Sequence, residues 1–596
     1  TPPPEWGQRF TVSAQLREPA LASRSGNWQT WSGQVHADFA NVDISQLRRH
    51  VQLSTEVTQG RGALRAWGDV ERGQVVGVVA DLGLGAVQAR LAPELEPLSL
   101  ESIGGRLTWR ELPGGFEFST AGLQFRTQDG LQWPGGNVAV SHSALQGTAP
   151  QGEVRADKLD LAALAQVANR LPLGTATHAL LSDFQPQGRV ENLQANWLGP
   201  MADLKELRAK GQVTQLALAA AQLPKALASA DPDTPPSPVR PGLQGANVDF
   251  ELTLNGGRAK LSMDKGVLSF PGALDEALIP VDKLSAQAQW TVKNEQIELS
   301  VDQIRFANVH LKADAAVKWK TSNPATSTGK SRFPGILDLT ATLPQANTTH
   351  IHRYLPTGIP KFVREYVRNA VTQGELSNGK VRIKGDLFDL PFADPKLGEF
   401  RISANLQNTR FAYAPQNLTI EGGASWPALT QLNGELVFDR NSMQIKGANA
   451  RIEGFAGLQI SKAEASIPSL AINPAVLVQA EARGPVADVL AFVKTSPLGA
   501  MTNNVLSQAT ATGNADYRVR LNLPLAELVK TQVQGSITLA GNDVRFTPST
   551  PLLAHARGVV GFTERGFQIS GAQAGLLGGD IRFEGGMRPA TRNQPE

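Results

Sequence analysis

The chain has 596 residues, with 57 Lys and Arg against 54 Asp and Glu, a net charge of +3. So balanced a surface carries no field suited to nucleic acid, and hydrophobic residues at 41% exclude a disordered chain. The absence of cysteine removes disulfide frameworks, thiolate metal sites and cysteine nucleophiles.

With 57 Gly and 38 Pro, the composition is that of many short strands broken by turns. No run of about eighteen uninterrupted apolar residues occurs, so no helix here is expected to span a membrane. The nearest candidates are 75–91, which contains Asp81 and several glycines, and 216–227, which contains Gln222 and Lys225. Both read as strand or loop. The first residue is Thr1, and no signal peptide is visible, so the chain reads as a processed or trimmed form.

In chain order, the dominant signal is period-two alternation over short segments, the mark of half-buried strands. Val248 to Leu254, Gln296 to Val301 and Val381 to Lys384 show it plainly, with apolar side chains on one face and polar ones on the other. Four segments share one pattern, a strand ending in an aromatic, a polar turn and a second strand. They are GRLTWRELPGGFEFS, AQAQWTVKNEQIELS, GELVFDRNSMQIKG and GVVGFTERGFQISG. Leu107, Trp109, Phe116 and Phe118 share a face in the first. Ala288, Trp290, Ile297 and Leu299 do so in the second, Leu436, Phe438, Met443 and Ile445 in the third, and Val560, Phe562, Phe567 and Ile569 in the fourth. Their turns suit hairpins, so the expected fold is mainly β, an antiparallel meander repeated along the chain.

Two stretches read as long hairpin loops, the Pro-rich Asp231–Gly242 and the polar Lys320–Pro334. Helices are expected to be few and short. Candidates are 159–171, 361–372, 485–494 and 498–508. In the second of these, Phe362, Val363, Tyr366, Val367 and Ala370 form an apolar stripe, and Lys361, Arg364 and Arg368 form the polar face. That helix packs its stripe on a sheet, or meets anionic headgroups.

Little in the sequence points to bond chemistry. His350 and His352 form an H-x-H pair that would share one face of a strand, but no third ligand is near and Arg353 opposes a cation. Asp386 and Asp389 read as turn acids flanking buried Leu387 and Phe388, not as an acid/base pair. No nucleophile elbow, P-loop, zincin or dinucleotide fingerprint appears. The pairs Gly104-Gly105, Gly422-Gly423 and Gly578-Gly579 sit in turn or bulge contexts. The chain is expected not to be an enzyme and to need no metal or cofactor.

From Phe333 onward a series of landmarks follows: LDLTATLPQANTTHIHRYLP, IPKFVREYVRNAVTQGELSNGKVRIKGDLFDLPF, GEFRISANLQNTRFAYAP, SWPALTQLNGELVFDRNSMQIKG, ARGPVADVLAFVKTSPLG and QGSITLAGNDVRFTP. Their order resembles the YhdP family, within the AsmA-like group that includes TamB. Trp31 to Val35, Gly62 to Gly68 and LQWPGG at Leu131 to Gly136 extend the likeness into the first half. It is most specific between Tyr354 and Pro497 and weakest between Leu171 and Gly245.

The resemblance implies a long, curved, twisted antiparallel sheet forming an elongated apolar groove, with a few short helices. It implies a periplasmic protein, anchored in the inner membrane by an N-terminal helix and extending toward the outer membrane, that moves phospholipids between the two. On this reading residues 1–596 are one continuous groove body of a larger protein, lacking that helix and the C-terminal end. A division into 1–245 and 246–596 is the secondary expectation. Phospholipid is cargo rather than cofactor, and the membranes are met through regions outside this chain. The expected lining is Trp109, Phe116, Phe118, Trp290, Ile297, Leu299, Leu436, Phe438, Met443, Ile445, Phe562, Phe567 and Ile569. Two alternatives remain open. One is a scaffold or chaperone that pairs unfinished outer-membrane strands with exposed sheet edges. The other is a β-helix enzyme acting on carbohydrate, which would need carboxylates and aromatics clustered in one patch.

Overall fold

A computed structural model describes residues 10–19, 26–47, 56–92, 95–133, 135–171, 175–200, 203–221, 240–415 and 424–587. Strand accounts for 64% of the structure and helix for 12%, so the expected mainly β fold is the observed one. The described residues hold 29 strands. They fall in two compact units, Thr1–Gly272 with Glu276–Ile297, and Ala273–Asp275 with Glu298–Glu596.

In the first unit the strands run from Phe10–Arg17 to Leu278–Lys293, each paired antiparallel with its chain neighbour except at the two-residue strand Gln132–Trp133, which the ladder bypasses. The second unit repeats this from Leu299 to Gly579–Gly586, with Thr510–Ala511 standing aside. Among the described residues no ladder joins the first strand of either unit to its last, so neither sheet closes into a barrel.

The two long margins of each sheet differ. In the first unit one margin carries tight turns, such as those from Glu56–Glu71 to Gln74–Arg90 and from Leu98–Leu112 to Gly115–Thr127. The opposite margin carries the helices Ile44–Leu47, Leu161–Val167 and Thr175–Phe184. In the second unit the turns after Leu429–Asp439 and Leu553–Thr563 lie on one margin, and the helices Lys361–Ala370, Val486–Thr495 and Leu498–Met501 on the other.

Buried side chains gather on the helix side. Leu84, Val87 and Leu100 pack with Ile44 in the first unit. In the second, Leu458, Val486, Ala515 and Tyr517 pack with Val489 and Leu490 of the helix above them. Bulges fall on this side as well and bend the strands there. Gly105 sits at one, between Gly104 and Arg106, with φ at +141°. A Cβ there would stand 2.8 Å from the Leu123 Cα, so only glycine lets the two strands approach.

On the turn side no α-helix lies over the sheet among the described residues, and the cover there is local, as where the 387–397 loop seats Phe392 over Gly385 and Gly398.

The sequence reading placed the helices well and missed Ile44–Leu47 and Thr175–Phe184. The Lys361 helix stops at Ala370 because the β-branched Val371 and Thr372 already pair as strand. The Leu498 helix ends at Met501, and turns follow. Of Asp231–Gly242, residues 231–239 lie outside the described residues, as do residues 222–227 of the 216–227 stretch and Gly422-Gly423. Lys320–Pro334 joins two paired strands, as expected, but is tied down: Ser322 and Ser327 donate hydroxyls to Asp386 at 2.8 and 2.7 Å.

Met263, 1% exposed beside Ala246, belongs to the closed side. Met263→Ala is expected to destabilise the first unit by about 2–5 kcal/mol through the cavity it leaves, read as an earlier transition in urea unfolding.

Candidate functional site

Cross-strand register places side chains on faces without ambiguity, because directly paired residues in a ladder point the same way. In the first unit one row runs from the first strand to the last. Its members are Ala14, Val35, Gly68, Val78, Trp109, Phe118, Val140, Val154, Ala195, Ala209, Leu252, Gly257 and Trp290. Every one is apolar or glycine.

The next row toward the turns lies on the other face. It comprises Gln15, Gln34, Asp69, Gly77, Arg110, Glu117, Ser141, Glu153, Asn196, Arg208, Thr253, Gly256 and Thr291. Every one is polar or glycine. A one-residue step thus separates an unbroken apolar strip from a hydrated surface.

The second unit builds its strip as a staircase of shorter rows on one face. Val301, Val317, Leu339, Ile383 and Phe400 form one. Two residues along lie Ala341, Val381, Ile402, Phe438, Met443 and Ile467. Then come Ala404, Leu436, Ile445, Ala465, Val478, Leu521 and Val533, and next Ala480, Val519, Gly535, Phe562 and Phe567. Ala482, Tyr517, Ile537, Val560 and Ile569 complete it. The reverse face carries Lys462, Glu481, Arg518 and Ser536.

The expected residues therefore fall as follows. Trp109, Phe118 and Trp290 share the long row, and Phe116 lies two residues toward the turns from Phe118, on the same face, beside His142. Leu436 pairs with Ile445, Phe438 with Met443, and Phe562 with Phe567. Ile569 pairs with Val560. Leu299 pairs with Trp319, and Ile297 precedes it by two on the same strand. Sequence reasoning missed Val78, Val140, Leu252, Ile402 and Tyr517. The alternation inside each strand marked them, but only register shows which face they join.

These residues are half-buried, not sealed. Phe116 is 38% and Phe567 47% exposed. The exceptions, Ala404, Ile467 and Tyr517, are buried, Tyr517 under the Val486–Thr495 helix, where burial pushes its hydroxyl up to about 12 and it donates to the Gly484 carbonyl at 3.3 Å. The outer face is knit by ion pairs such as Arg106 with Asp81 at 2.6 Å, where the guanidinium hydrogen bond holds the carboxyl below its ordinary range. Such exposed pairs contribute little to stability.

Three expectations are corrected. His350 and His352 sit on a 3-10 turn, Thr348–Tyr354, not a strand, and His350 stacks on His310 at 3.9 Å. Among the described residues no group of three or more His, Asp or Glu could hold a metal. Phe388 is exposed, and Phe392 is the buried aromatic of that loop, filling the space over Gly385 and Gly398. On the Lys361–Ala370 helix two residues change places: Phe362 is 73% exposed and Arg364 only 8%, while Val363, Tyr366, Val367 and Ala370 keep to the inner side and Lys361 and Arg368 to the outer. Arg364 is drawn inward because it donates to both Asp275 oxygens, at 2.7 and 2.9 Å, and to the Thr357 and Ile359 carbonyls.

A family described as "YhdP protein" matches residues 1–594. The chain belongs to the YhdP family. It is 23% identical over 558 residues to the "Intermembrane phospholipid transporter YhdP" of Escherichia coli (strain K12). That match takes in 90% of this chain and 40% of the relative, so the chain spans about two fifths of the relative's length. No solved structure matches. No described helix is long and apolar enough to cross a membrane.

The Arg364 hydrogen bonds are the largest cause lowering the Asp275 carboxyl from its ordinary 3.8. A carboxyl depressed in the folded state stabilises above its unfolded pKa and loses that contribution as pH falls through the folded value. Arg364→Met is therefore expected to lower the unfolding midpoint at pH 7. The difference from wild type should shrink below about pH 4, as followed by thermal unfolding across a pH series.

Proposed function

We propose that this YhdP-family chain carries phospholipids between membranes, with acyl tails lying on the apolar strip and headgroups toward the open, turn-bearing margin. The observation that supports this most is the unbroken apolar row from Ala14 to Trp290, half-exposed and backed by an entirely polar or glycine row. A strip of that extent exceeds the few hundred Å² of contiguous apolar surface that a soluble monomer usually leaves in water. Acyl chains laid on it would gain about 0.8 kcal/mol per buried CH₂.

That gain is non-directional, so it fits varied tails and allows sliding along the strip. It asks for no residue that lowers a chemical barrier, and the reading is of a carrier, not an enzyme. The E. coli relative's name supports the cargo class and an envelope with two membranes. We accordingly place the protein in the periplasm, tethered to the inner membrane as the family resemblance implies. The thirteen residues expected from the sequence are proposed as part of the lining.

Phe438→Glu combined with Phe562→Glu puts two charges on the second unit's strip. The variant is expected to fold and to co-purify with several-fold less phospholipid, read by lipid extraction and mass spectrometry against wild type. An unchanged lipid content in a folded variant would remove these residues from the lining.

A further inference from the structure

Four aromatic residues of the apolar strip stand directly across the ladder from a glycine. Trp197 pairs with Gly152, Phe250 with Gly211, Trp290 with Gly257, and Phe562 with Gly535. In each pair the ring leans across the ladder into the place a Cβ would take. A Cβ on Gly257 would lie 2.7 Å from the Trp290 ring, and one on Gly211 3.0 Å from the Phe250 ring. On Gly152 and Gly535 it would fall inside the contact distance of Trp197 and Phe562 altogether.

All four glycines lie on the apolar face. Gly257 and Gly535 are members of the rows traced above. Gly211 is two residues from Ala209, and Gly152 two from Val154, both of which belong to the long row. Glycine otherwise weakens a strand, and its presence at a paired position marks close approach by something else. Here the close approach is by the largest side chains the strip contains.

We propose that these glycines set the depth of the lipid-bearing strip by letting the rings lie down on the neighbouring strand. An upright indole or phenyl ring would stand several ångströms above the Cβ level of the Val, Ala and Leu around it and form a ridge across the path of an acyl chain. Reclined on glycine, the same ring adds apolar area and keeps the floor low. Glycine is therefore a positioning residue: it does not touch the tail but fixes how high the ring beside it stands. The smallest and the largest residues of the strip are paired because each makes the other usable.

This inference rests on the reading of the strip as a lipid surface, and the test separates the two. Wild type, Gly535→Val and Gly535→Val/Phe562→Ala are compared for bound phospholipid per chain by native mass spectrometry, with folding checked by circular dichroism. Valine drives the Phe562 ring upright, so lipid per chain is expected to fall at least twofold in the single variant. The double variant removes the ring that valine displaces, and lipid per chain should rise above that of the single variant.

A folded Gly535→Val chain with unchanged lipid would overturn the inference, as would a double variant that stays as depleted as the single one. If Gly535→Val does not fold, Gly211→Ala and Gly211→Ala/Phe250→Ala make the same comparison at the pair with the mildest clash, and the same outcomes decide it. Wild type without any lipid would instead contradict the carrier reading and the inference with it.

Discussion

The structure depends on one constraint. In a strand, successive side chains point to opposite faces, and an antiparallel ladder copies that choice from strand to strand. Once Trp109 and Phe118 are paired, every directly paired residue out to Ala14 and Trp290 is committed to their face. The chain fills that face with apolar residues and glycine and the reverse with polar ones. A sheet so divided must cover its apolar side with a second layer, with itself, or with something that is not protein.

The two margins answer that requirement differently. On the helix side, bulges bend the strands and short helices lie over them, giving the dry clusters around Leu84 and Leu458. On the turn side most connections are tight, and the longer loops 321–335 and 387–397 are held to each other through Ser322, Ser327 and Asp386. The result in each unit is a sheet sealed along one side and open along the other. An apolar surface that is open but continuous suits a cargo whose binding is proportional to area and indifferent to position, as hydrocarbon tails are.

Much of this was legible in the sequence, because the period-two signal survives wherever one face is wet. The hairpins at Trp109, Phe438 and Phe562 could be placed with their facing residues, since turn and strands lie within fifteen residues or so. What could not be read was register between distant strands. The Gly152 and Trp197 pair joins residues far apart in the chain, and no local pattern announces it. Local amphipathicity also misled at the Lys361–Ala370 helix. There Arg364 finds four acceptors inside while Phe362 faces out, so hydrogen bonding overrode the pattern at those two positions. The histidines at 350 and 352 fell on a 3-10 turn, because Asn347 accepts from the Thr349 amide and ends the strand there.

The central claim is that the open apolar strip is covered by lipid and not by protein. A photo-crosslinking amino acid placed at Phe438, followed by native mass spectrometry with lipid extraction on the purified chain, tests it most directly. The account predicts several co-purifying phospholipids, joined to the probe after illumination. A stable, lipid-free monomer, or a probe that captures only protein, would contradict it.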